Sequence, residues 1–196
     1  MSKFNAKQLL WIDFETDGLD PSTLNILEVS LILTDSDLNV IDELKNLNVY
    51  KDQEVLSQLN EWCLTIHTAN GVLERCRSST LSLDDVKNKI VDFLNKHQIN
   101  NTAYLAGSGV HYDLNILRHT WPSIASRFPY RILDTSSFLI AAGFWSEALV
   151  CENKKVQKGN HSSYGDLQAS LAYMRNYKKF CFDQPLSLGG TVIIGD

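Results

Sequence analysis

The first apolar run of the chain ends in two acidic residues, and this combination restricts the possible folds most strongly. The segment LLWIDFETDGLDP spans residues 9–21, and its first seven residues predict a buried strand. Side chains alternate across a strand, so Asp13 and Glu15 project from one face and Phe14 from the other. Two neighbouring like charges destabilise a fold unless a cation lies between them. The segment therefore predicts a strand that ends in a cation site.

The pattern along the rest of the chain predicts strands first and helices afterwards. Residues 25–35 and 39–50 predict two further strands, joined by a hairpin across the polar segment DSDLN. A helix follows in residues 82–97, with Ser82 as its N-cap and apolar residues at four-residue steps. The short strands AYLAG and YRILD each precede a helix, and the last helix begins near Ser163. This alternation is typical of parallel strands, so we predict an α/β fold with a mixed central sheet and flanking helices.

Length, charge and apolar content exclude several classes of protein. At 196 residues and 44% hydrophobic content, the chain can bury one full core, and residues 182–196 form a tail without an assignment. A net charge of -5 argues against a protein that coats long nucleic acid, because such binding needs many basic residues. No apolar stretch approaches the roughly 20 residues that span a bilayer. The four cysteines form no C-x-x-C pair, so a reducing cytoplasmic setting fits best.

Further acidic residues and a histidine lie at the ends of the predicted elements. Asp113 lies in the first turns of the helix after the strand AYLAG, and Asp166 lies in the first turn of the last helix. His161 precedes Asp166 by five residues, in the loop that leads into that helix. Carboxylate oxygens are the ligands that Mg²⁺ and Mn²⁺ prefer, and a pair of such ions can clamp a reacting phosphodiester. Histidine can accept a proton from water at neutral pH.

The motifs WIDFETDGLD, AGSGVHYDLNIL and H-x4-D, in this order, resemble the three exonuclease motifs of the DEDDh family. Residues 62–80 and 128–137 resemble the oligoribonuclease branch in particular. The resemblance implies an RNase H-like fold in an exonuclease domain over residues 1–181. It also implies a homodimer that degrades very short RNA, chiefly dinucleotides, from the 3′ end to nucleoside 5′-monophosphates, with two Mg²⁺ or Mn²⁺ ions. The implied metal ligands are Asp13, Glu15, Asp113 and Asp166, with His161 as the general base.

The same resemblance implies a set of substrate contacts. It suggests Leu19 as a wedge between the two bases, with Trp62 and His67 contacting base and phosphate. Tyr130 and Arg131 resemble the pair that caps the 5′ phosphate from the partner subunit, together with Ser108 and Ser136. Stacking on an aromatic face such as that of Trp62 tolerates any base, and the planar guanidinium of Arg131 suits a terminal phosphate.

Two segments depart from the family pattern. The family has Gly-Asn-Ser before the third carboxylate, but this chain has Gly107, Ser108 and Gly109, so a hydroxyl group is lost or displaced. The residues between His161 and Asp166 are Ser-Ser-Tyr-Gly, where the family usually has Gln-Ala-Leu-Asp. The predicted catalytic set is unaffected by both changes. They bear on the choice among RNA, DNA and modified dinucleotides.

Two other functions remain compatible with the same motifs. A tRNA-trimming or proofreading DEDDh exonuclease would share the metal site but take longer RNA or DNA strands. A non-catalytic nucleotide-binding module on the same fold would normally lack at least one metal ligand, and this sequence retains them all. The negative net charge and the segment at residues 62–80 favour the short-substrate enzyme.

Overall fold

A five-stranded mixed sheet forms the centre of the computed structural model, which describes residues 7–183. The strands lie in the spatial order β3-β2-β1-β4-β5. β1 pairs antiparallel with β2, and β2 with β3, whereas β1 pairs parallel with β4, and β4 with β5. The predicted hairpin and the predicted parallel portion are therefore confirmed. The strand bounds are β1 Gln8–Thr16, β2 Ile26–Asp35, β3 Val40–Asn48, β4 Ala103–Gly107 and β5 Ile132–Asp134.

Helices cover both faces of this sheet. As in the prediction, Ser82 caps α4, and Ser82 and Asp85 exchange hydrogen bonds in a capping box. The last helix starts at Ser163, also as predicted, and runs into a π-helical turn, Lys178–Phe182. The helix bounds are α1 Gln53–Ser57, α2 Glu61–Ala69, α3 Val72–Ser78, α4 Leu83–Lys96, α5 His111–Thr120, α6 Pro122–Ala125, α7 Thr135–Trp145, α8 Glu147–Asn153 and α9 Ser163–Tyr177.

The alternation of side chains along β1 divides the core in two. Leu10, Ile12 and Phe14 pack into one cluster together with apolar residues of α4 and α5. Trp11 belongs to the opposite cluster, which includes buried residues of α9 such as Leu171. Because Asp13 and Glu15 continue the Trp11 side of the strand, they project towards the face that α9 covers. The predicted same-face carboxylate pair is thus present, and it points at the helix that carries Asp166.

Two details differ from the sequence-based expectation or lie beyond the described chain. The predicted strand YRILD is shorter than expected, because only Ile132–Asp134 pairs with β4, which leaves Tyr130 and Arg131 before the strand. The proposed tail, residues 182–196, lies outside the described residues apart from its first two positions. Within residues 7–183, no helix combines the length and apolar character needed to traverse a bilayer.

Candidate active site

Three of the predicted metal ligands meet where β1 ends and α9 begins. Asp13, Glu15 and Asp166 each place one carboxylate oxygen within 4.8 Å of the other two. β1 supplies the first two residues from one face, and the first turn of α9 brings Asp166 over them. Glycine at position 159 permits this approach, since a Cβ atom there would collide with the Asp166 carboxylate. We call these three residues the acidic cluster.

The acidic cluster holds its protons strongly. Burial, followed by the charges of Asp166 and Glu28, raises the pKa of Glu15 to about 9. Burial also raises the pKa of Asp13 well above its usual range, and the nearby charges of Asp113 and Glu15 add to the effect. The pKa of Asp166 is raised as well, again mainly by burial. The protein alone therefore does not offset the negative charge that these groups carry when ionised, and their ionised oxygens would suit a hard divalent cation such as Mg²⁺ or Mn²⁺.

Asp113 borders the acidic cluster but is oriented differently. It lies in the first turn of α5, is almost fully buried, and accepts a hydrogen bond from the backbone N–H of Phe14 at 3.1 Å. Burial raises the pKa of Asp113 to about 7. One of its oxygens is thus engaged with β1, directly between Asp13 and Glu15. Three of the four predicted ligands, Asp13, Glu15 and Asp166, thus bring their carboxylate oxygens together, and Asp113 lies beside them.

His161 lies at the solvent-exposed side of the acidic cluster. Its backbone has a left-handed conformation, with φ of 57°, and its backbone N–H donates to Asp166 Oδ1 at 3.1 Å. The side chain of Asn70 donates a hydrogen bond to the His161 carbonyl oxygen. The imidazole ring meets the Trp62 ring edge-on, with 6.1 Å between the centroids. His161, the predicted general base, therefore lies next to the predicted metal ligand Asp166 and next to Trp62, the predicted contact for a nucleobase.

A cleft of about 450 Å³ opens directly beside Glu15. Leu19 and Trp62 line it, and their side chains are 84% and 60% exposed, which is unusual for large apolar residues. Tyr112 also lines the cleft and donates a hydrogen bond to the Gly18 carbonyl oxygen at 2.9 Å, next to Leu19. The cleft thus offers apolar and aromatic surfaces directly beside the carboxylates. The sequence did not single out Tyr112.

His67 lines the same cleft but is almost completely buried. Its Nε2 lies 3.1 Å from the carbonyl oxygen of Thr16, which can only accept, so Nε2 carries the hydrogen. Burial lowers the pKa of His67, so the ring is neutral and its Nδ1 is an acceptor. This Nδ1 has no hydrogen-bond partner among the described residues and lies 3.9 Å from Glu15 Oε2. Of the two ring nitrogens of His67, Nδ1 is thus the one without a partner among the described residues, and it is buried.

The predicted phosphate-cap residues gather around β5 and the start of α7. Asp134 Oδ1 accepts hydrogen bonds from the backbone N–H of Gly109 at 2.8 Å and from the Ser136 hydroxyl at 2.6 Å. Tyr130 is 74% exposed, and the Arg131 guanidinium lies 4.4 Å from the centre of its ring. Ser108 is exposed at the turn before α5. None of these residues, all within the described part of the chain, lines the cleft beside Glu15.

Sequence reasoning missed a buried charge next to the site. Glu28 lies on β2 directly opposite Glu15 and is fully buried, with Arg75 of α3 bound to its carboxylate at 2.8 Å. The sequence does indicate that Glu28 is unusual, because it is the one charged residue within the otherwise uncharged run ILEVSLILT. A charge inside a fully buried strand requires specific partners.

Comparison with known proteins gives consistent matches. The Exonuclease family (RNase_T) matches residues 10–174. The chain is 31% identical over 175 residues to an oligoribonuclease of Francisella tularensis subsp. tularensis, covering 89% of this chain and 96% of that protein. It is 33% identical over 179 residues to an oligoribonuclease of Haemophilus ducreyi, covering 91% and 97%.

Solved structures share the fold at lower sequence identity. Exonuclease I of Methylocaldum szegediense superposes with a TM-score of 0.66 at 18% identity, covering 89% of this chain and 41% of that chain. The zinc-bound form of the E. coli ExoI–ssDNA complex gives a TM-score of 0.67 at 16% identity, with coverage of 89% and 41%. This chain therefore spans about two fifths of the length of those proteins, and its similarity to them is limited to the fold.

Proposed function

The chain belongs to the exonuclease family and, within it, to the oligoribonucleases, and on that premise we propose how it acts on its substrate. It is a 3′-5′ exoribonuclease that takes very short oligonucleotides, chiefly dinucleotides, and releases nucleoside 5′-monophosphates. The observation that carries this proposal is the acidic cluster of Asp13, Glu15 and Asp166 beside a cleft with exposed apolar walls. The negative net charge of the chain fits a short substrate better than a long one.

The acidic cluster fits a pair of divalent cations. Asp13, Glu15 and Asp166 would hold them, with Asp113 contributing from α5, and Mg²⁺ or Mn²⁺ suits these oxygen ligands. When bound, two such ions would supply positive charge that stabilises the charge developing on the reacting phosphodiester. The raised pKa values of the carboxylates fit this role, because a cation restores their ionised forms.

His161 is the proposed general base. In the reaction, the oxygen of water bonds to phosphorus, the bond from phosphorus to the 3′ oxygen of the preceding nucleotide breaks, one proton of water passes to the His161 ring, and the leaving 3′ oxygen takes up a proton from solvent to become a hydroxyl. The backbone contacts of His161 to Asp166 and Asn70 hold this ring at the exposed side of the cluster, where water can reach it. A base of this kind typically accelerates a reaction by about 10²–10⁴-fold.

The cleft supplies the proposed base contacts. Trp62 offers an aromatic face, and such stacking is worth about 1–3 kcal/mol per base without regard to sequence. Leu19 is exposed in the lining of the same cleft and is the proposed wedge between the two bases. His67 is the proposed third wall of this cleft, where its neutral ring lies beside Glu15.

A homodimer completes the proposed site. α7 exposes three large apolar side chains that have no evident role within one protomer, namely Ile140, Phe144 and Trp145, at 61%, 76% and 82%. Exposed apolar patches of this kind mark interaction surfaces. If α7 packs on its copy, Tyr130 and Arg131, just before β5 and α7, can reach the partner's cleft and close it over the 5′ phosphate. Ser108 and Ser136 lie close to the same segment and complete the cap.

A substrate-length series tests this proposal. Hydrolysis of 5′-phosphorylated RNA of two to ten nucleotides is measured with Mg²⁺ present, for the wild type and for Arg131→Ala. We expect the dinucleotide to be cleaved most efficiently, and Arg131→Ala to narrow its advantage over longer strands. Equal cleavage at all lengths in both proteins would indicate a general exonuclease, and binding without cleavage would indicate a nucleotide-binding module.

A further inference from the structure

Glu28 is the most heavily coordinated charged side chain near the site, yet it belongs to none of the roles assigned so far. It is fully buried on β2, opposite Glu15 in the β1–β2 register. Five hydrogen bonds reach its carboxylate. Oε1 accepts from the backbone N–H and the hydroxyl of Ser163, at 3.0 and 2.9 Å, and Oε2 accepts from Asn48 at 2.9 Å and twice from Arg75, at 2.9 and 2.8 Å.

These bonds separate Glu28 from the acidic cluster in chemical terms. Both of its oxygens are already occupied by donors from the protein, whereas the oxygens of Asp13, Glu15 and Asp166 converge on one another. A buried charge needs such partners, because an unpaired charge in the interior is strongly destabilising. Glu28 therefore has a structural role, and its hydrogen bonds connect β2 to two other segments of the site.

The first attachment is the start of α9. The N-cap residue Ser162 makes no capping hydrogen bond with its side chain, so the usual local device is missing at this helix end. Glu28 substitutes for it by accepting both the backbone N–H and the hydroxyl of Ser163, and Ser163 also bonds Ser30 of β2 at 2.7 Å. Asp166 lies three residues further, within the same turn. The position of this metal ligand thus depends on a residue of the sheet.

The second attachment leads to the loop that carries His161. Arg75 bonds Glu28 with Nε and Nη2 and uses Nη1 to bond the backbone carbonyl of Asn70 at 3.1 Å. The Asn70 side chain in turn donates to the His161 carbonyl and accepts from the Val72 N–H. Glu28, Arg75 and Asn70 therefore form a continuous chain of bonds from β2 to the residue that is held in a left-handed conformation.

We propose that Glu28 is a positioning residue for the exonuclease reaction, setting Asp166 through Ser163 and His161 through Arg75 and Asn70. This inference rests on the proposed function of the acidic cluster and His161. Both arms start from one carboxylate, so the ligand and the base are held in a fixed relation to each other and to Glu15 across the strand pair. Misplacement of a reacting group by about 1 Å can cost about 100-fold in rate, so such an anchor acts on kcat.

The test uses one variant for each arm. Glu28→Gln leaves Arg75 with a weakened partner in the interior and is expected to unfold too readily to be informative alone. Ser163→Ala removes the hydroxyl that bonds Glu28 and Ser30, and Asn70→Ala removes the donor to His161, while each leaves the Glu28–Arg75 pair intact. With a 5′-phosphorylated dinucleotide and Mg²⁺, we expect each variant to lower kcat by about 10- to 100-fold with KM nearly unchanged.

Ser82→Ala is the matched control. It also removes a serine hydroxyl that anchors the first turn of a helix, but that helix, α4, carries no site residue. We expect it to lower the unfolding temperature by as much as Ser163→Ala and to leave kcat as in the wild type. Equal losses of kcat in Ser163→Ala and Ser82→Ala, or an unchanged kcat in both arm variants, would overturn the positioning role.

Amide hydrogen exchange separates this inference from the proposed function. In Ser163→Ala, the amides of residues 161–166 should exchange faster than in the wild type, and in Ser82→Ala only those at the start of α4 should do so. A wild-type protein without hydrolytic activity would contradict the proposed function, and the exchange pattern would still decide about the anchor. Unaltered exchange of residues 161–166 in both Ser163→Ala and Asn70→Ala would contradict the positioning role of Glu28.

Discussion

The acidic cluster and Asp42 show two opposite environments for a carboxylate on the same sheet. Asp42, on β3, bonds Lys96 and His97 at 2.7 Å each, and these bonds lower its pKa to about 2. Glu15, on β1, lies among other carboxylates in a buried setting that raises its pKa to about 9. The chain provides hydrogen-bond donors, one of them the ammonium of Lys96, for Asp42 and collects further acids around Glu15.

This difference indicates which group was shaped by stability and which by function. Asp42 is ionised and paired within its own chain, as expected of a surface carboxylate. Ionisation of the acidic cluster lowers the stability of the isolated protein, because it brings like charges together in a poorly solvated setting. Such an arrangement is expected where a cation from outside completes the site.

The largest contrast should come from neutralising one acid of each kind. Asp13→Asn removes a proposed metal ligand, and we expect dinucleotide hydrolysis to fall by about 10⁴-fold or more, which corresponds to roughly 5 kcal/mol of transition-state stabilisation. Asp42→Asn should hydrolyse the dinucleotide at the wild-type rate. The check is a comparison of kcat/KM at saturating Mg²⁺, with circular dichroism to show that both variants fold. Substantial activity of Asp13→Asn would remove the distinction between the two environments.

The two histidines beside these acids provide the next contrast. His161 contacts Asp166 through its backbone, and His97 contacts Asp42 through its ring. His161→Ala should lower kcat by about 10²–10⁴-fold and flatten the acidic limb of the pH–rate profile, because the proton acceptor is lost. His97→Ala is the control and should retain wild-type kcat. A pH–rate profile of His161→Ala identical to that of the wild type would mean that another group activates the water.

The two environments also differ in how far the sequence could predict them. The start of α4 was predicted from Ser82 as its N-cap and the apolar spacing behind it, and the structure confirms this cap and adds a hydrogen bond from the Ser82 backbone N–H to the Asp85 carboxylate. The start of α9 was correctly placed near Ser163, but its anchor Glu28 is 135 residues away, and no local pattern reveals such a pair. Contacts between residues far apart in the chain position the site, and a single sequence does not show which residues are paired in such contacts.

Individual site residues show the same limit. Alternation along β1 was enough to predict that Asp13 and Glu15 share a face, because the period of a strand is a local property. The burial of His67 and the orientation of Asp113 towards the Phe14 N–H depend on how α2 and α5 dock on that strand. The strand before α7 was predicted too long, because the apolar pattern does not show where pairing with β4 begins.

A third contrast concerns stability against pH in the metal-free protein. The folded-state pKa of Glu15 is raised from 4.5 to about 9, so folded molecules bind its proton more tightly than unfolded ones. The free energy of unfolding should therefore fall as the pH rises from about 5 to 9. Glu15→Gln should remove part of this slope and stabilise the metal-free protein at pH 8 by about 1–3 kcal/mol. Urea unfolding at several pH values in chelator measures both effects, and a slope unchanged by Glu15→Gln would mean that the Glu15 carboxyl is not a source of the pH dependence.

The smallest effect should come from Asp42. Its pKa is lowered from 3.8 to about 2, so its contribution to stability is present above about pH 4 and is lost as the pH falls towards 2. Because Lys96 is largely exposed, Asp42→Asn should cost less than about 1 kcal/mol at pH 7. Urea unfolding at pH 7 and at pH 3 checks this. If Asp42→Asn lowered the free energy of unfolding more at pH 3 than at pH 7, the ionised Asp42 carboxylate would not be the source of this stabilisation.

Hydrolysis of a 5′-phosphorylated dinucleotide in excess chelator, followed by stepwise return of Mg²⁺ or Mn²⁺, tests most directly whether the acidic cluster works through cations from outside. If Asp13, Glu15 and Asp166 hold divalent ions for the reaction, hydrolysis stops in chelator and returns with either ion as the free concentration rises. Full hydrolysis in excess chelator would contradict a role for divalent cations at this cluster.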